Sequence, residues 1–181
     1  MHPQKEDYVG NVNPIGIRAC YDEGKRAAET LIFDFKRSEN IKINVARIFN
    51  TYGPNMSSQD GRVVSNFIIN ALLDKDLEIY GDGEQTRSFC YIDDLISGIN
   101  IFCNSKKIPE CPYNLGNNKE FKVIELAKLV INLTNSKSKI IFKDPLSDDP
   151  VKRRPDLSLI NELNWHPTID LKEGLKRTIL Y

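Results

Sequence analysis

The 181 residues suffice for one ordinary domain or two small lobes, and a content of 40% apolar and 28% charged residues is that of a soluble globular protein. The 25 Lys and Arg balance the 25 Asp and Glu, so no overall field draws the chain to nucleic acid or to an anionic membrane. No apolar run approaches membrane-spanning length, and residues 1–20 are too polar for a signal peptide. An anionic ligand therefore has to be held by a local cluster of cations. Cys20, Cys90, Cys103 and Cys111 form no Cys-x-x-Cys pair and are expected to be free, mostly buried thiols. His2 and His166 are isolated, so no metal centre is expected.

Residues 1–19 contain Pro3, Gly10, Pro14 and Gly16 with little periodicity and read as a loop. A helical pattern follows over 21–37, with Ala27, Ala28, Leu31, Ile32 and Phe35 on one face. Residues 41–49 alternate and then turn almost wholly apolar, as a strand entering a buried sheet does. A polar loop over 50–61 leads to a helix over 63–75 whose stripe is Val64, Phe67, Ile68, Ala71 and Leu72. Leu77–Tyr80 is a short strand stopped by Gly81-Asp82-Gly83. Residues 87–92 look extended, and Asp93-Asp94 suits the cap of a helix over 94–104. After a loop with Pro109 and Pro112 come Tyr113–Leu115, a helix over 121–133 and a strand over 139–143. A polar stretch over 144–156 precedes two short helices near 157–163 and 170–180.

This alternation argues an α/β fold. It is an incomplete one, because no glycine-rich strand–turn–helix occurs in the sequence. A nucleotide-binding half, if the complete protein has one, is expected upstream of Met1.

Tyr21 and Lys25 lie four residues apart on the first predicted helix and so project from one face. An ammonium beside a phenol stabilises the phenolate and lowers a pKa that is otherwise about 10, which is the requirement for a tyrosinate base. The same spacing also occurs as an ordinary surface pair. Its surroundings add to it. The run NPIGIRACYDEGKRAAET (13–30) resembles the catalytic helix of the extended short-chain dehydrogenases/reductases, and its Cys-Tyr-Asp-Glu-Gly-Lys-Arg wording looks like the UDP-glucuronate decarboxylase branch. ARIFNTYGP (46–54), GRVVSNFI (61–68), YGDGEQTRSFCYIDDL (80–95), YNLGN (113–117) and KRRPD (152–156) follow in the family's order. Six ordered motifs over nearly the whole chain are far more specific than any one.

The resemblance implies an incomplete Rossmann-like parallel sheet with a small α/β substrate-binding lobe. It assigns residues 1–60 to the NAD-binding part and 61–181 mainly to the sugar-nucleotide lobe. It makes Tyr21, Lys25 and Arg87 catalytic, and it places Tyr21, Lys25, Ile48, Thr51 and Arg62 at the cofactor. Asn50, Asn66, Tyr80, Arg87 and Arg154 would meet a UDP-sugar. Each has a plainer reading: Asn50 as a turn former before Gly53-Pro54, Arg62 and the basic trio 152–154 as solvated charge, Tyr80 as a core strand residue.

The implied reaction is NAD-dependent conversion of UDP-glucuronic acid to UDP-xylose through a 4-keto sugar. A 4,6-dehydratase acting on dTDP-glucose and a UDP-sugar 4-epimerase share the Tyr/Lys chemistry and are the alternatives. A non-catalytic sugar-nucleotide-binding or subunit-pairing module is the alternative of another class. The chain by itself is expected to be inactive. The complete enzyme is expected to be a homodimer paired through the helix over 21–37, and cytoplasmic unless an upstream anchor directs it to the Golgi lumen. Sequons at Asn55 and Asn132 are taken as chance.

Overall fold

In the computed structural model, which describes residues 1–181 apart from 18, 58, 108–109 and 146–151, helices and strands alternate as the sequence pattern demands. They run α1 (Ala19–Glu39), β1 (Ala46–Ile48), β2 (Thr51–Tyr52), α2 (Val63–Leu72), β3 (Leu77–Tyr80), β4 (Thr86–Ser88), β5 (Cys90–Tyr91) and α3 (Ile92–Asn104). Then come β6 (Tyr113–Leu115), β7 (Glu120–Lys122), α4 (Val123–Thr134), β8 (Ile140–Lys143), β9 (Lys152–Arg153), α5 (Ser158–Asn161) and α6 (Leu171–Leu180).

Parallel pairing dominates: β1 with β6, β2 with β5, and β3 with β8. The fourth group is mixed, with β4 at the centre, β7 antiparallel on one side and β9 parallel on the other. The extended segment 46–52 changes partner at Phe49–Asn50. There the Phe49 N–H donates to the Leu115 carbonyl, and the Asn50 carbonyl accepts from the Cys90 N–H, so pairing passes from one partner strand to the other.

Several elements depart from the sequence expectation. β1 occupies three of the nine residues expected over 41–49, and β2 lies inside the expected loop over 50–61. β7 takes the first turn of the helix expected over 121–133, and β9 falls in the polar stretch over 144–156, of which 146–151 lie outside the described residues. Pairs of two or three residues are made by their partner strands and leave no periodic signature.

One core cluster joins the stripe of α2 (Val64, Phe67, Ile68, Ala71) to β3, α4 and α6; a second surrounds Leu115, Phe102, Ile160 and Trp165. Leu72, expected on the stripe, is exposed, because α2 stops there and Asp74 turns the chain at φ 51°. Tyr52 spans toward α6, its hydroxyl donating to the Leu171 carbonyl at 3.2 Å, and burial raises its phenol pKa well above the usual range.

The Asp93-Asp94 pair does not cap α3. Tyr91 occupies the cap position, while the Asp94 carboxylate is buried and accepts from Thr168 N (3.0 Å), Thr168 Oγ1 (2.9 Å) and Ile169 N (2.8 Å). It fastens the approach to α6 beneath α3. Gly98 lets α3 lie close to its neighbours: a Cβ there would stand 2.8 Å from Trp165 Cε2 and 2.9 Å from Leu115 Cδ2.

The thiols are free but not mostly buried. Cys20 and Cys103 are exposed, Cys111 is half-buried, and Cys90 alone of the four is buried, with its thiol pushed up to about 12 chiefly by burial.

Three outcomes follow. Asp94→Ala strips three donors of their acceptor and is expected to cost about 3 kcal/mol in a urea titration; Gly98→Ala is expected to cost about 1–3 kcal/mol by overpacking. A thiol reagent at pH 8 is expected to label Cys20 and Cys103 rapidly and Cys90 only after denaturant is added.

Candidate active site

α1 carries the two residues around which the site is built. Its middle is rich in Lys, Glu and Ala, Asp22 stands in its first turn, and Lys36 and Arg37 stand in its last, all favourable to a helix. Tyr21 and Lys25 do share a face: the Lys25 ammonium lies 5.5 Å from the Tyr21 ring centroid, and the Tyr21 side chain is 59% exposed. Both open onto an open groove of about 610 Å³ between α1, the N-terminal segment and the end of β1. Lys5, Lys25, Arg26, Arg37, Arg47 and Arg153 line it against Asp22 and Glu29, with Phe49 and Asn114 on its wall. A neutral chain thus concentrates cations beside the Tyr/Lys pair.

The mixed sheet decides which basic side chains share a face. β4 and β9 are in register with Thr86 opposite Lys152 and Arg87 opposite Arg153, and β7 sets Phe121 opposite Arg87 and Glu120 opposite Ser88. Successive side chains alternate between faces, so Arg87, Phe121 and Arg153 belong to one face. Thr86, Ser88 and Glu120 belong to the other, and Arg154 follows them. Arg87 is buried, its Nη1 donating to the Thr86 carbonyl at 2.8 Å, and its neighbour Arg153 reaches the groove.

Arg154 instead meets Glu120 at 3.6 Å. Glu120 also accepts from Thr86 Oγ1 (2.6 Å) and bonds the His2 ring (2.9 Å). Its burial opposes ionisation, but the Thr86 hydroxyl, the His2 ring and the Arg154 guanidinium together hold its pKa below the usual carboxylate range.

Other sequence-chosen residues spread around these features. Asn50 is half-buried at the partner exchange, and the Thr51 hydroxyl donates to the Phe49 carbonyl at 3.0 Å. The Ile48 side chain is 55% exposed. Arg62 is exposed at the start of α2 and pairs with Asp60 at 3.3 Å, and Asn66 is half-buried one turn further on. Tyr80 is exposed at the end of β3, which removes its reading as a core residue, and Gly81 beside it lines an open depression of about 640 Å³. The structure thus gathers Tyr21 and Lys25 with Arg47, Phe49 and Arg153, the neighbours of Ile48, Asn50 and Arg154, at one groove, and leaves Ile48, Asn50, Thr51, Arg62, Asn66, Tyr80, Arg87 and Arg154 themselves outside its lining. Among the described residues no group of three or more His, Cys, Asp or Glu could hold a metal.

Sequence reading passed over the parts that hold this groove together. Gln4 forms a parallel bridge with Pro155, its N–H donating to the Arg154 carbonyl and its side chain accepting from the Arg154 N–H. Asn114 is buried, donates to the Gln4 and Asp156 carbonyls, and gives its own N–H to the Glu6 carboxylate. An asparagine within an apolar strand was the available signal; its partners, more than forty residues away or near residue 5, were not readable.

Parallel strands beside a helix-borne Tyr/Lys pair place the chain in the Rossmann-like class of α/β folds. Among solved structures it superposes on a UDP-glucose 4-epimerase of Thermotoga maritima with a TM-score of 0.88 and 28% identity, over 99% of this chain and 56% of the other. It superposes on a UDP-glucuronic acid 4-epimerase of Bacillus cereus with a TM-score of 0.85 and 26% identity, over 97% and 58%. The chain belongs to the NAD dependent epimerase/dehydratase family, whose model matches residues 1–116. UDP-glucuronic acid decarboxylase 1 of Arabidopsis thaliana is 51% identical over 98% of this chain and 41% of its own length. The enzyme of the same name from Xenopus tropicalis is 48% identical over 100% and 43%. The chain therefore spans less than half the length of these two relatives.

Glu120 yields a pH prediction. A carboxylate whose folded pKa is depressed adds stability that is present above its ordinary pKa of about 4.3 and is lost as pH falls through the folded value. Unfolding free energy is expected to decline below that pH, and Glu120→Gln to flatten the decline.

Proposed function

We propose that the chain is the part of a UDP-glucuronic acid decarboxylase that carries its Tyr/Lys pair and much of its sugar-nucleotide site, with residues 1–60 serving the cofactor and 61–181 mainly the substrate. The observation that carries the reading is the opening of Tyr21, Lys25 and Arg153 onto one cation-rich groove. The substrate follows from the relatives, which at about half identity over almost all of this chain are named as decarboxylases of UDP-glucuronic acid.

The residues present fit NAD in part. The exposed Tyr21 and Lys25 suit its nicotinamide riboside end, and Ile48, Thr51 and Arg62 are the other residues assigned to it. No glycine-rich turn that would cradle its pyrophosphate occurs in the sequence, so that half of the cofactor has to be held by other residues. NAD, held there, would supply a reversible hydride acceptor for C4 of the sugar.

Tyr21 accepts the proton of the sugar 4-hydroxyl, and the Lys25 ammonium lowers the cost of the phenolate that does so. Once C4 is a ketone, the carboxylate on C5 is beta to it. Its C–C bond breaks with the electron pair passing into an enolate, whose negative charge Arg87 helps to stabilise. A proton from water then adds at C5 and restores the 4-ketone, and as C4 is reduced again Tyr21 returns its proton to the 4-oxygen.

Arg153, which lines the groove and shares a face with Arg87, suits a diphosphate oxygen as a guanidinium donor. Asn50, Asn66 and Tyr80 are assigned to the remainder of the UDP-sugar. Arg154, expected from the sequence at the phosphate, lies outside the lining of the groove and receives a smaller share. The exposed Leu31 and Phe35 of α1 support pairing of two copies through that helix. Among the described residues no helix is long and apolar enough to cross a membrane, and residence in the cytoplasm is the simplest assignment.

Three measurements test this. A longer protein that contains this chain together with a dinucleotide-binding half, given NAD and UDP-glucuronic acid, is expected to release carbon dioxide and UDP-xylose, while the 181-residue chain alone is expected to be inactive; turnover of UDP-glucose or dTDP-glucose instead would replace the reading with an epimerase or dehydratase. Tyr21→Phe is expected to lower kcat by about 100-fold or more while UDP affinity stays within about twofold. In calorimetry with UDP, Arg153→Ala is expected to weaken binding about 10- to 100-fold and Arg154→Ala less than about fivefold.

A further inference from the structure

α1 carries the Tyr/Lys pair, yet among the described residues it buries no side chain. Its apolar face is open, with Leu31 59% and Phe35 58% exposed. Part-buried side chains such as Phe33 fix its rotation against the strands only loosely. A polar contact does more. Arg47, at the centre of β1, grips Glu29 of α1 with both arms of its guanidinium, Nη2 at 2.6 Å and Nε at 3.0 Å, and its Nη1 donates to the Glu6 carbonyl at 2.8 Å. Both side chains are less than a third exposed. Lys36 also meets Glu110 at 3.4 Å, but the Glu110 side chain is 91% exposed and its pull is screened by water.

Glu29 lies four residues beyond Lys25 and eight beyond Tyr21, so all three fall on one stripe of the helix, and all three line the groove. A planar, two-point grip resists rotation about the helix axis, which a single ammonium contact does not. On the same strand register Arg47 stands opposite Asn114, whose N–H meets Glu6. The anchor is thus tied to β6 and the N-terminal segment as well as to β1.

We propose that Arg47 and Glu29 are positioning residues that set the rotation of α1 and thereby aim Tyr21 and Lys25 into the groove; the inference rests on the function proposed for that pair. Neither residue needs to touch the substrate. Arg47→Lys keeps the charge and loses the two-point geometry, and Glu29→Gln changes a helix-surface residue without disturbing the core.

The test has two arms. In hydrogen exchange of the 181-residue chain, both variants are expected to speed exchange of α1 amides about tenfold while those of α2 and α4 stay unchanged. The exchanged pair Arg47→Glu with Glu29→Arg is expected to recover at least half of the lost protection. In protein that turns over UDP-glucuronic acid, Arg47→Lys is expected to lower kcat about 10- to 100-fold with KM within about twofold, and the exchanged pair to regain activity.

Unchanged α1 exchange in both variants overturns the proposal, as does loss of protection spread evenly over all helices. A raised KM that the exchanged pair does not restore also overturns it, since Arg47 would then act on the ligand directly. If the unaltered protein turns over no UDP-glucuronic acid, the decarboxylase reading fails by itself, and the exchange arm still decides whether Arg47 and Glu29 set α1.

Discussion

Two-residue alternation along β4 is the constraint on which the candidate site depends. The strand has three residues, and its two neighbours come from chain positions more than thirty residues away on one side and more than sixty on the other. Register alone then decides that Arg87 and Arg153 stand together, and that Arg154 turns to the face where Glu120, Thr86 and His2 meet. A slip of one residue in β9 would exchange the two arginines and put Arg154 at the groove. The bridge from Gln4 to Pro155, with its hydrogen bonds to both sides of Arg154, opposes that slip. Residues before α1 therefore help to secure a register whose other strands lie in the last two thirds of the chain.

The two halves of the site are held by different kinds of force. The arginine-bearing sheet borders a cluster of buried aliphatic and aromatic side chains, and displacing it would expose that surface to water. α1 is joined to the rest by ion pairs, Glu29 to Arg47 and Lys36 to Glu110 among them, and by the edge of a groove, with Leu31 and Phe35 exposed. A helix fixed in this way has a low cost of local opening compared with α2 or α4. Any further surface that covers Leu31, Ile32 and Phe35 would stiffen the Tyr/Lys pair by the same contact.

The cysteines and Asp94 show how residue type and surroundings part company. Cys90 is inert because strand pairing buries it, and Cys20 is open because the helix that carries it is. Asp94 looked like a cap by its position, but three donors from residues 168–169 claim its carboxylate. A carboxylate is drawn to whichever unsatisfied N–H groups the fold brings nearest. Sequence distance does not limit that choice.

What the sequence by itself determined is the set of parts governed by local spacing. α1, α2, β3, α4 and α6 were legible from periodicity and turn residues. Tyr21 and Lys25 were legible as a pair because a separation of four residues on a helix is already a statement about geometry. The family was legible from ordered motifs. Only the tertiary structure decided β2, β7 and β9, since strands of two or three residues exist through their partners. It alone decided that Arg153 rather than Arg154 lines the groove, because strand parity has no local trace in a run of three basic residues. It alone showed that Arg47 holds Glu29 and that α1 lies open. Hydrophobic spacing says which face a helix offers, while what covers that face depends on the surfaces folding brings to it.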